Sequence, residues 1–383
     1  MSTIQKRDPK NLNNNIEIDN ELFENDSDLN LLEKLGFDDW FQKESKSILK
    51  DDFSIARIIE VNKNNYKVSN GSNEIFAELT GKYVFNATNS TDYPTIGDWV
   101  AIQYFDNNSH AIIHDILQRK SLLKRKDPGK VVEFQLIAAN IDFAFIIQSV
   151  DSNFNLNRLE RYLVMIHESN IQPVIVLSKT DLVSADELSD IKESIKRLND
   201  KYLFLPISNK TNHGIDLLRK ELKNTKTYCL LGSSGVGKTT LLNKLIGEEI
   251  FDVNAVREKD KKGRHTTTKR QLIRLKTGSI FIDTPGMREL GNFALESGLN
   301  ETFSDIIAYF GQCRFNNCTH SNEEGCAVIA AVEQGNIEED RYENFLKIQR
   351  ESAYYEMSYL EKRKKDKTFG KMIKNYNKSI RKK

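Results

Sequence analysis

The sequence predicts a multidomain α/β chain: a small β-barrel, then a doubly wound parallel sheet, then a helical region carrying metal ligands. Three observations predict it. Five short strand-like segments crowd between Asp51 and Ile116. Apolar strands and helical patterns then alternate from Ile141 to Leu231, as βαβ units do. Three cysteines and one histidine fall between positions 313 and 326. At 383 residues the chain has room for two or three such domains.

Residues 1–30 are rich in Asn, Asp and Glu and poor in aromatics, a composition that predicts disorder. The spacing of Leu31, Leu32, Leu35, Trp40 and Phe41 predicts a helical extension over 31–50. The barrel, at 51–117, is read from Ser54–Val61, Tyr66–Ser69, Glu74–Leu79, Asp98–Tyr104 and His110–Ile116, with Asn70-Gly71 as the clearest turn. This suits an oligonucleotide-binding (OB) barrel, and an SH3-like barrel would read much the same. Past a basic stretch, Arg119–Lys130, the second domain is placed at 118–298. Its strands are Ile141–Gln148, Ile171–Leu177, Tyr202–Pro206 and Thr227–Leu231, with a helix over Leu156–Ser169. A hairpin pairs Gln271–Leu275 with Ser279–Asp283. Residues 299–383 form the third, helical domain with a basic tail.

The net charge of +1 hides a lengthwise asymmetry. Residues 1–30 hold three basic and seven acidic side chains, whereas 361–383 hold eleven basic and two acidic. The tail therefore suits an anionic partner. No apolar run approaches the roughly 18–20 residues a membrane span needs. The first residues lack the apolar core of a signal peptide, and four cysteines make no disulfide framework. A cytoplasmic monomer without a membrane partner is expected.

Gly232-Ser233-Ser234-Gly235-Val236-Gly237-Lys238-Thr239 is a full G-x-x-x-x-G-K-T phosphate loop. It lies where the chemistry needs it, after an apolar strand and before a helix that opens with Thr240. Backbone N–H groups and the helix N-terminus cradle phosphates there. Lys238 is placed to reach the β- and γ-phosphates, and the Thr239 hydroxyl to bind Mg²⁺. Asp283-Thr284-Pro285-Gly286 supplies a D-x-x-G element, its Asp suited to Mg²⁺ through water and its Gly to the γ-phosphate.

Ser178-Lys179-Thr180-Asp181 looks like the N-K-x-D motif that reads guanine, with Ser in place of the amide. One carboxylate can accept both N1–H and the N2 amino group of guanine, and adenine offers neither. Ser208-Asn209-Lys210 resembles the S-A-K element that contacts guanine O6. Both elements precede the phosphate loop, the reverse of the usual order, so the domain reads as a circularly permuted P-loop GTPase domain. In the charged run Gly263-Arg264-His265-Thr266-Thr267-Thr268, Thr267 is favoured over Thr266 for contact with Mg²⁺ and γ-phosphate. Met287 follows Gly286 where a glutamine would orient water, which leaves His265 as the candidate replacement.

Cys313, Cys318, His320 and Cys326 match a closed Cys₃His zinc site with no position left for water. Cys229 reads as a small core residue, and Trp99 as core packing rather than a base-stacking surface.

These motifs, with Gly97-Asp98-Trp99-Val100 in the barrel, resemble the ribosome small-subunit-dependent GTPase A (RsgA-type) family. The resemblance spans about residues 50–350, and Gly263–Thr268 and the Cys/His cluster are its most specific parts. It implies an OB-type barrel, a circularly permuted GTPase domain and a zinc domain. It also implies GTP hydrolysis stimulated by the small ribosomal subunit, and docking on ribosomal RNA. Two other functions also fit the residues: an RNA-binding assembly module with structural nucleotide, and a P-loop ATPase.

Overall fold

The computed structural model describes residues 26–50, 52–62, 65–126, 134–247, 270–283 and 296–356. His265, Thr266, Thr267, Gly286, Met287 and the basic tail lie outside the described residues, as does the expected disorder up to residue 25.

Helices α1 (Asp26–Glu33) and α2 (Asp39–Ser45) form the N-terminal extension. Helix α1 starts inside the span expected to be disordered, because its last turn delivers Leu32 to a cluster with Leu35, Phe37, Phe41, Ile55 and Trp99. Five strands follow: β1 (Ser54–Val61), β2 (Tyr66–Ser69), β3 (Glu74–Leu79), β4 (Trp99–Phe105) and β5 (His110–Ile116). They close a barrel in the order β1-β2-β3-β5-β4. Strand β3 runs parallel to β5, and this pair makes the barrel the OB type. Burial along β3 alternates from Glu74 to Glu78, as a strand with one face on a core requires. The short helix α3 (Gly81–Asn86) joins β3 to β4.

The basic stretch after Arg119 is itself structured. Strands β6 (Leu122–Lys126) and β7 (Phe134–Ala139) pair as a separate two-stranded sheet. The lysines and arginine hide this in the sequence, since over Leu122, Leu123, Lys124 and Arg125 only Leu123 is buried.

The second domain is built on β8 (Phe143–Ser149), β9 (Gln172–Ser178), β10 (Phe204–Pro206), β11 (Thr227–Leu231), β12 (Leu272–Arg274) and β13 (Ile280–Ile282). The sheet order is β10-β9-β8-β11-β13-β12, parallel except for the edge strand β12. Every residue of β8 and β11 is buried, the pattern of parallel strands covered on both faces. The covering helices include α4 (Leu156–Glu168), α5 (Ala185–Leu198), α6 (Ile215–Glu221) and α7 (Lys238–Ile246). Helix α5 starts on a reciprocal capping box between Ser184 and Glu187.

Helices α8 (Glu296–Thr302), α9 (Ser304–Ile307), α10 (Ala327–Glu333) and α11 (Glu339–Glu356) make the third region. Its core of Leu299, Phe303, Ile306, Val328 and Phe345 includes Val164 of α4. Arg341 on α11 bonds Glu160 of α4 and Asp305, so the third region is tied to the sheet domain through α4.

Candidate nucleotide and metal sites

Strand β11 lies inside the sheet, with β8, β9 and β10 on one side and β13 and β12 on the other. The carboxyl ends of β9, β10, β11 and β13 deliver the expected site residues to one edge, where open α/β sheets hold their ligands. Permuted chain order is thus undone in space.

The phosphate loop runs from β11 into α7. Two of its glycines, Gly232 at φ 145° and Gly237 at φ 95°, hold backbone that other residues rarely adopt. A Cβ on Gly232 would lie 2.3 Å from the Ile147 carbonyl, and one on Gly237 2.6 Å from Asn209 Nδ2. Ser233 and Thr240 are half-buried, Ser234, Gly235 and Thr239 are exposed, and Val236 is buried. Lys238 Nζ donates to the carbonyls of Gly232 at 2.8 Å and Ser233 at 2.6 Å. Asp283 directly follows β13, half-buried, and burial raises its carboxyl pKa against the opposing pull of Lys238. A cation beside that carboxylate would relieve the cost of burying it, so the position fits Mg²⁺.

The residues expected to read the base reach the same loop. Ser178 Oγ donates to the Val236 carbonyl at 2.7 Å, and Asn209 Nδ2 donates to the Gly237 carbonyl at 3.1 Å. Ser208 Oγ donates to Asp181 Oδ1 at 2.6 Å, a bond that leads in holding the Asp181 carboxyl below its ordinary range. Thr180 N donates to the Ile207 carbonyl at 3.2 Å, which joins the two candidate base-reading loops. Lys179 sits at φ 59° with its ammonium 2.9 Å from Asp151 Oδ2.

Sequence reasoning missed the loop after β8. Asp151 accepts from Ser149 Oγ at 2.7 Å and from Asn153 N at 3.0 Å, as well as from Lys179. Burial pushes the Asp151 carboxyl up, and those three donors together hold it below its ordinary range. Asn153 Nδ2 donates to Ser233 Oγ at 3.3 Å. The loop therefore touches both Lys179 and the phosphate loop. Its only sequence signal is its place at the carboxyl end of a buried strand.

The four metal-ligand candidates also converge. Their ligand atoms all lie within 4.8 Å of one another. Cys313 Sγ is 3.9 Å from Cys326 Sγ, and both sulfurs are 3.5 Å from His320 Nδ1. Tetrahedral zinc with ordinary bond lengths needs S···S of about 3.8 Å and S···N of about 3.6 Å. The cluster therefore fits zinc, with Nδ1 as the ligand atom. The His320 ring stacks on Phe310, centroids 4.0 Å apart, and Tyr342 Oη donates to the His320 carbonyl at 2.6 Å. Glu323 accepts from the backbone N–H groups of Thr319, Ser321 and Asn322 and so holds the turn that presents His320.

Cys229 is fully buried in the sheet core, its thiol pushed up to about 12 by burial. Trp99 is also fully buried, edge-on to Phe37 at 4.9 Å, so neither residue meets solvent.

A phosphate loop on the inner strand of a mostly parallel sheet, with the candidate base-reading loops entering from strands that precede it, defines a circularly permuted P-loop GTPase fold. The RsgA GTPase family model matches residues 116–293. The small ribosomal subunit biogenesis GTPase RsgA 2 of Vibrio parahaemolyticus is 38% identical over 346 residues, covering 90% of this chain and 92% of that protein. The crystal structure of YjeQ from Thermotoga maritima superposes with a TM-score of 0.57 at 27% identity, covering 77% of this chain and 97% of that one. YloQ, a circularly permuted GTPase, gives the same TM-score at 25% identity, covering 81% and 98%. The chain belongs to the RsgA GTPase family.

Proposed function

We propose that this protein hydrolyses GTP to GDP and phosphate as a late assembly factor of the small ribosomal subunit. It binds ribosomal RNA and leaves on hydrolysis. The relatives' names support the subunit as partner. The observation that carries the nucleotide reading is the meeting of the Ser178 and Asn209 side chains with consecutive carbonyls of the phosphate loop. One ligand can then touch Asp181 and the cradle ahead of Lys238.

In this reading Asp181 accepts the guanine N1–H and N2 amino donors, Lys179 lies along the base with its ammonium steadied by Asp151, and Ser208 aims the Asp181 carboxylate. Lys238 exchanges its two carbonyl partners for the β- and γ-phosphates. Thr239, Thr267 and Asp283 would hold Mg²⁺, which neutralises charge on the phosphate oxygens when bound. Gly286 meets the γ-phosphate, and His265 orients the attacking water through one ring nitrogen. Zinc held by Cys313, Cys318, His320 and Cys326 is structural, and the chain works as a cytoplasmic monomer.

The deciding experiment is GTP turnover titrated with purified small ribosomal subunits, with ATP as competitor. Turnover that rises with subunits and resists ATP supports the proposal. Turnover indifferent to subunits removes the ribosomal coupling, and displacement by ATP removes the guanine reading.

A further inference from the structure

We propose that Asn209 is a positioning residue for guanine-nucleotide binding, its side-chain amide supplying the donor that Ser178, in place of an asparagine, cannot. The inference rests on the guanine-nucleotide reading above. A serine hydroxyl has one proton to give, whereas an asparagine amide has two. Ser178 gives its proton to the Val236 carbonyl at 2.7 Å, with the Gln148 carbonyl 3.4 Å away. The next carbonyl of the phosphate loop, Gly237, is taken by Asn209 Nδ2 at 3.1 Å. Two adjacent carbonyls are thus held by side chains from two different base-reading loops.

The orientation of Asn209 follows from chemistry. Turned over, its oxygen would face the Gly237 carbonyl, acceptor against acceptor. As placed, its Oδ1 is buried without a protein donor, so the side chain is held for its amide end. Its backbone is strapped as well, since Lys244 on α7 donates to the Asn209 carbonyl and to Asn212 Oδ1. Ser208, the adjoining residue, holds Asp181. Loosening Asn209 therefore disturbs the base-reading carboxylate and the phosphate cradle together. Gly237 completes the arrangement, because a Cβ there would lie 2.6 Å from Asn209 Nδ2.

The test measures dissociation constants for a fluorescent GDP analogue on full-length wild type, Asn209→Ala, Asn209→Asp, Ser178→Asn and the Asn209→Ala/Ser178→Asn double variant. The loss expected for Asn209→Ala is about three- to tenfold, the worth of one hydrogen bond. Asn209→Asp has the same shape without a donor and loses at least as much. Ser178→Asn in the Asn209→Ala background restores affinity to within about twofold of wild type, an effect no general loss of packing would show. Single variants at 209 that bind as wild type, or a double variant no better than Asn209→Ala, overturn the proposal. A wild-type protein that ignores GDP overturns the guanine reading instead.

Discussion

Ser178 and Val236 lie 58 residues apart in the chain and share a 2.7 Å hydrogen bond. The bond joins the last residue of β9 to the loop after β11, and both strands flank β8 in the sheet. Permutation changes which of these loops is made first but leaves them neighbours, because strand pairing does not depend on where the chain begins. It has one further effect. The third region follows β13 directly in sequence and also packs on α4.

The identity of the base should rest on Asp181. Asp181→Asn replaces one acceptor with a donor and sets it against a donor on guanine. GTP affinity should fall by about 100-fold, the scale of a buried polar mismatch. Xanthine nucleotide, which carries a carbonyl where guanine carries its amino group, should regain most of the loss. Competition binding with GDP and XDP checks both halves.

Removal of zinc should loosen the third region and spare nucleotide binding. Cys313, Cys318 and Cys326 share a core with Phe303, Phe310 and Phe345, so a zinc ion held there would brace the apolar cluster. Elemental analysis should find one zinc per chain, and Cys318→Ser should lower that figure and the melting temperature while GDP affinity is retained. Zinc at full occupancy in Cys318→Ser would remove this residue from the ligand set.

Much of this was readable before any coordinates. Ser54–Val61, Tyr66–Ser69, Glu74–Leu79 and Thr227–Leu231 form strands at the bounds the sequence predicts, because period-two burial and buried apolar runs are local signals. The hairpin β6–β7 was not readable, since Lys124, Arg125 and Lys126 mask the pairing. Asp151 and Asn153 were missed for a different reason. They belong to no motif and reach the site only because β8 ends beside the phosphate loop. The serine at 178 reads in sequence as a loss, whereas in space its hydroxyl and the Asn209 amide bond consecutive carbonyls of the phosphate loop.

His265 should act on hydrolysis and not on affinity. With Met287 unable to orient water, His265→Ala should slow phosphate release by at least about 100-fold, the lower range for a positioned acid–base group. The GDP dissociation constant should stay within about twofold of wild type. Single-turnover phosphate release, with and without small subunits, separates the two quantities, and unchanged release in both conditions would remove His265 from the mechanism.

The joint between barrel and sheet domain should depend on Arg57. This side chain is 1% exposed, and its guanidinium bonds the carbonyls of Leu35, Gly97 and Asn140 and, at 2.9 Å, Thr227 Oγ1. One residue of β1 thus ties the helical extension, the barrel and the start of β11. Burial lowers its pKa to about 10 against the pull of Asp142, Asp98 and Asp38, so it remains charged at neutral pH. Arg57→Ala strands several buried acceptors at once, and at about 1–3 kcal/mol each the loss should exceed 3 kcal/mol. Arg57→Lys keeps the charge but cannot span four acceptors, so it should recover only part of that. Denaturant unfolding followed by the fluorescence of Trp40 and Trp99, which pack in one cluster, reports the barrel side of the joint, and equal midpoints for wild type and Arg57→Ala would show that the domains hold together without it.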